Sequence, residues 1–147
     1  MRTRLSRVVF AFAVVACASV PAQFQVTQVT PAAETTDASA LGDITWRFNA
    51  AVDPATLTAS SVKVWGRWSG VISGTRSLES GDTVVRFAPS QPFSAGEMVS
   101  VTVTPAVKSA AGLPLSDTHM TQYWIAAAPA AQSLSLQSIV QIRQPGE

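Results

Sequence analysis

The chain has 147 residues, room for one domain of ordinary size, and it is 47% hydrophobic but only 13% charged. Its formal charge of +1 comes from the extreme N-terminus: Arg2, Arg4 and Arg7 are three of ten basic residues, which leaves seven beside nine acidic ones, or −2, in the rest of the chain. That balance gives no evidence of a basic nucleic-acid-binding surface, and no nucleic-acid partner is expected; the single cysteine, Cys17, excludes an internal disulfide.

After the arginines comes an apolar run from Val8 to Ala16 and then small residues, which is the layout of a secretory signal. A membrane span needs about 20 apolar residues, and this run breaks at Ser19 and Pro21. Val20-Pro21-Ala22 places compact residues where a signal peptidase reads, so residues 1–22 are expected to be a signal peptide cut after Ala22. Val14-Val15-Ala16-Cys17 also resembles a bacterial lipobox, which would make Cys17 a lipidated first residue and attach the protein to a membrane. Either way the exported domain, residues 23–126, has to hold together by its core alone.

Phe24, Val26 and Val29 predict a short, irregular first strand closed by Pro31, and Ala32 to Ala40 reads as a loop. Ile44, Trp46 and Phe48 then alternate with Thr45 and Arg47, a clean strand with one core face. Asp53-Pro54 can open a single helical turn, with Asp as cap and Pro at its first position. Val62 and Val64 begin the next strand, and Gly66 and Gly70 bracket a bend containing Trp68. Val71-Ile72 and Leu78 flank Gly74, which reads as a small hairpin or a bulged edge. Glu79-Ser80-Gly81-Asp82 is a turn, followed by a strand with Val85 and Phe87 on one face. Val99, Val101 and Val103 alternate without fault, and His119 to Ile125 forms a last strand. About six to eight short strands between Gly/Pro turns, with no helical period, predict an antiparallel β-sandwich. Residues 127–147 read as a linker or tail, or as the start of a further module, since Leu134, Leu136 and Ile139 resume a weak alternation.

The order of "LGDITWRFNAAVDPATL", "SSVKVWGRWSGVISG" and "SGDTVVRFAPSQPFSAGEMVSVTVTPAVKSAAGLPL" resembles bacterial Ig-like domains of the SbsA surface-layer type. The matching positions are Phe48, Val52-Asp53-Pro54, Val62 to Val64 with Gly66, Phe87-Ala88-Pro89, Gly96-Glu97, Val99 to Val103 and Gly112-Leu113. This resemblance, over about residues 25–125, implies an all-β, immunoglobulin-like sandwich of about seven strands. It further implies a spacer or adhesion module of exported bacterial proteins without catalytic residues.

Little else in the chain points to chemistry. His119 is the only histidine, and triad catalysis would need it beside a nucleophile and an orienting acid. Glu34, Asp37, Asp43 and Asp53 could meet at one end of the sandwich around calcium, but their spacing matches no dense Asp/Asn/Gly loop, so no metal is expected. Glu79 and Asp82, three residues apart across a tight turn, do not fit a glycosidase pair. No glycine-rich loop precedes a helix, so no cofactor is expected either.

The tryptophans remain. Trp46 shares a face with Ile44 and Phe48 and belongs with Phe48, Val64, Phe87 and Val101 in the core. Trp65 falls on the face of Lys63, Trp68 lies between two glycines, and Trp124 shares parity with Gln122. Together with Arg67 these three rings could form a contact surface, whereas a bulge at Gly66 or near Trp124 would turn them inward. The expectation is that the rings turn inward or cover a sheet edge. The chain is thus expected to be a secreted or cell-envelope module with a structural, spacer or adhesion role, whose partners are neighbouring domains or cell-surface proteins. The alternative is a carbohydrate-binding module that stacks polysaccharide on Trp65, Trp68 and Trp124.

Overall fold

A computed structural model describes residues 23–128. The expected signal peptide, Cys17 and the tail beyond residue 128 lie outside the described residues. Eight strands follow in order: β1 (Val26–Thr30), β2 (Ile44–Phe48), β3 (Val62–Gly66), β4 (Gly70–Val71), β5 (Gly74–Glu79), β6 (Val84–Pro89), β7 (Met98–Val103) and β8 (His119–Trp124). They form two four-stranded sheets, β1-β2-β6-β5 and β4-β3-β7-β8, with every pair antiparallel.

The two inner faces are the alternating positions read from the sequence. Trp46 and Phe48 on β2, Val85 and Phe87 on β6, Val62 and Val64 on β3, and Val99, Val101 and Val103 on β7 are all buried in one cluster. Phe24 and Phe48 stack with ring centroids 5.2 Å apart at one end of it. The irregularity in the first strand is a register shift between Val26 and Gln28 against β2. Between β2 and β3, Asp53 caps a 3-10 turn over Pro54–Thr56, its Oδ1 accepting from the Ala55 N–H at 3.0 Å.

The segment from Val71 to Leu78, expected as a small hairpin or a bulged edge, is not a hairpin. β4 belongs to one sheet and β5 to the other, so the chain changes sheets at Ile72-Ser73. Gly74 permits this by lying against the core, because a Cβ there would come within 2.5 Å of the Phe87 ring. β8 is an edge strand, but residues 34–38 cover it. The N–H of Glu34 donates to the Gln122 carbonyl (2.8 Å), that of Trp124 to Thr35 (2.6 Å) and that of Ala38 to Trp124 (3.1 Å).

The chain enters the sandwich where Phe24 bridges Leu115 in parallel, ahead of β8. It leaves at the other end, where the N–H of Gly96 bonds the Ala126 carbonyl.

Candidate functional site

The outer face of the β4-β3-β7-β8 sheet carries the tryptophans. On β3, Lys63 and Trp65 point away from Val62 and Val64, since the strand is regular across its five residues. Trp65 lies opposite Val71 of β4 on one side and Ser100 of β7 on the other, and Ser100 in turn pairs with Gln122 of β8. Trp124 pairs with Met98, so it occupies the same face two strands from Trp65 and two residues along. At about 4.8 Å per strand the two rings are anchored roughly 10 Å apart or more. Trp65, Trp68 and Trp124 keep 42%, 63% and 38% of their surface, and Val71 and Met120 are also exposed. The expectation that a bulge turns these rings inward, or that they cover an edge, is corrected in its first half. No bulge interrupts β3 or β8, and the period of two carries both rings outward.

Trp68 is held by a residue that sequence reasoning passed over. Glu97 is fully buried beneath the bend after β3. Its Oε2 accepts from the N–H groups of Trp68 (2.8 Å) and Ser69 (3.0 Å), and its Oε1 from Ser69 Oγ (2.6 Å) and the Ser94 N–H (2.7 Å). Gly66 leaves room for it, because a Cβ there would sit 2.7 Å from Oε2. Burial raises the carboxyl's pKa, yet the donors from Ser69, Trp68 and Ser94 outweigh it and hold the group below its ordinary range. Burial, reinforced by the charge of the same carboxylate, pushes the Tyr123 hydroxyl well above its ordinary value. The only sequence signal was the Gly96-Glu97 pair before a valine strand. Nothing local indicates that its carboxylate reaches back 28 and 29 residues.

Some of the other ionisable groups have structural partners. Arg67 is exposed at the end of β3, its N–H bonded to the Met98 carbonyl (2.9 Å). Arg86 donates from Nε to Asp43 Oδ2 (2.8 Å), with a second contact to the same oxygen, and lies 3.7 Å from Glu79. His119, half-buried at the start of β8, pairs with Thr121 Oγ1 at 3.1 Å, and burial lowers its pKa. Among the described residues no three His, Cys, Asp or Glu side chains converge as metal ligands, so Glu34, Asp37, Asp43 and Asp53 are not brought together. The expected core residues Trp46, Phe48, Val64, Phe87 and Val101 are all buried. No helix among the described residues is long and apolar enough to cross a membrane.

Two facing antiparallel sheets with this strand order define an immunoglobulin-like sandwich. The chain belongs to the bacterial Ig-like domain family, whose model matches residues 21–124. Solved structures with a similar fold include domains 1–6 of the surface layer protein SbsC, at 13% identity and TM-score 0.54, covering 76% of this chain and 15% of that one. CopC from Methylosinus trichosporium OB3b is similar at 11% identity and TM-score 0.54, over 74% of this chain and 99% of that one. The LD transpeptidase LdtMt1 is similar at 16% identity and TM-score 0.51, over 69% of this chain and 39% of that one. At such identities the likeness is one of fold. This chain spans under a sixth of the SbsC chain's length. No curated protein matches it.

Proposed function

We propose that the protein is a non-catalytic Ig-like module of the SbsA surface-layer type, with a structural, spacer or adhesion role in a bacterial envelope or exported protein. One observation carries this reading. The buried carboxylate of the domain, Glu97, is taken up by four hydrogen bonds that fix a bend and does not face a cleft. The division into residues 1–22 as signal, 23–126 as sandwich and 127–147 as linker belongs to the same proposal, as does its location outside the cytoplasm. Its partners are neighbouring domains or cell-surface proteins. The surface-layer likeness is compatible with that setting, and the likeness to part of a transpeptidase concerns the fold.

The exposure of Trp65, Trp68 and Trp124 favours a second reading, in which this face binds polysaccharide. Tryptophan fluorescence with acrylamide quenching separates the two. Trp46, fully buried, supplies a protected emission, and the three exposed rings supply a quenchable one. The spacer reading expects envelope polysaccharide to leave the quenchable fraction unchanged. Polysaccharide that shields it, with shielding lost in Trp65→Ala/Trp68→Ala, supports the glycan reading instead.

A further inference from the structure

Where β4 leaves its sheet for β5, the two sheets part and leave a groove of about 580 Å³ lined by Lys63, Trp65, Val71, Ile72, Ser73 and Arg76, among others. That size suits a ligand of one or a few rings. Arg76 projects inward from β5, its guanidinium 5.2 Å from the centroid of Phe87. Nη2 donates to the Val62 carbonyl on the opposite sheet (2.9 Å), Nη1 makes a long bond to the Gly74 carbonyl (3.4 Å), and Nε is buried without a partner. A guanidinium has five N–H donors, so two neutral carbonyls leave most of them unmet and the charge uncompensated.

Among the described residues the ion pairs involve Arg86 alone, which means that neither Arg76 nor Lys63 faces a carboxylate. Burial without a counter-charge lowers the Arg76 pKa, as that arrangement requires. The groove therefore combines two uncompensated cations with an exposed indole and an apolar floor.

We infer that this groove binds a carboxylated sugar, a uronic acid unit of an acidic polysaccharide, through Arg76, Lys63 and Trp65. The inference rests on the glycan-binding reading of the tryptophan face. An indole face is electron-rich and attracts the polarised C–H groups of a sugar ring. A carboxylate on that ring supplies the charge that the lining lacks and matches the planar donors of a guanidinium. The hydroxyls can bond Ser73 and the lysine ammonium.

The test is calorimetric titration of the full chain with three probes: tri-galacturonate, its neutral methyl ester and a hexaglutamate peptide. Tri-galacturonate is expected to bind at least about tenfold more tightly than the ester, as for a charge-assisted contact. Lys63→Gln should weaken the acid several-fold without affecting folding, because Lys63 is exposed on its strand. Arg76→Gln, with its fold checked by circular dichroism, should remove the preference for the acid over the ester. Equal binding of acid and ester overturns the anionic site and leaves the glycan reading standing. Binding of neither sugar sinks both. Acid binding that survives Lys63→Gln and Arg76→Gln places the anion elsewhere and overturns the proposal. Hexaglutamate bound as tightly as the sugar, and dependent on both cations, would make the ligand an acidic protein segment and overturn it as well.

Discussion

Glu97 shows how much one buried residue can determine. A carboxylate without a counter-ion is costly inside a sandwich unless donors surround it, and here four do. Removing it by Glu97→Ala leaves those donors unmet and is expected to lower stability by about 3 kcal/mol, measured by urea unfolding. Gly66→Ala should be damaging in the native protein but better tolerated alongside Glu97→Ala, with a coupling of about 1 kcal/mol or more in a double-mutant cycle. The pH dependence follows from the same contacts. A carboxyl held below its unfolded value of about 4.3 stabilises the fold above that pH and loses this contribution as pH falls through its lower folded value. Melting temperatures taken from pH 7 to pH 3 should therefore fall steeply below about pH 4.3. In Glu97→Gln, uncharged throughout, the fall should be shallower and start from a lower value. None of this was legible in the sequence, because the bonding partners lie far away along the chain and hydrophobic alternation carries no information about them. Trp46 was legible, since its neighbours Ile44 and Phe48 set its face.

At the scale of elements, alternation and turn chemistry carried most of the reading. The strands at Ile44, Val62, Val84 and Met98, and the capped turn at Asp53, lie where period and turn residues place them. Asp53→Ala should cost about 1 kcal/mol in thermal or urea unfolding, since it removes the one side-chain acceptor for the Ala55 N–H. The passage from β4 to β5 was not legible. Short apolar stretches around a glycine look alike whether the chain folds back or crosses to the facing sheet. Only the depth available beside the Phe87 ring decides between them. The contact face was half legible. Parity put Trp65 on the side of Lys63, while the strand pairing that sets Trp124 on the same face depends on the sheet order.

For the whole molecule, the export proposal makes a direct statement about mass. Chain recovered from the medium or envelope of an expressing bacterium should begin at Gln23 by N-terminal mass spectrometry. A product starting at Cys17 with added acyl mass would select lipid anchoring instead, and chain found only in the cytoplasm with Met1 intact would remove export altogether. Two of the four sheet edges, β8 and β5, are treated differently in the sandwich. Residues 34–38 cover β8, and β5 presents Thr75, Ser77 and Glu79 to solvent, where the charge of Glu79 discourages another strand from pairing.

Because the backbone enters beside Leu115 and leaves beside Gly96, at opposite ends, a pull on the flanking segments runs along the strands rather than across them. The hydrogen bonds between Phe24 and its neighbours would then be loaded together, in shear, instead of opening one at a time like a zip. Resistance of that kind is a matter of how slowly the sandwich opens, not of how stable it is at rest. A link in a chain under tension is judged by that quantity.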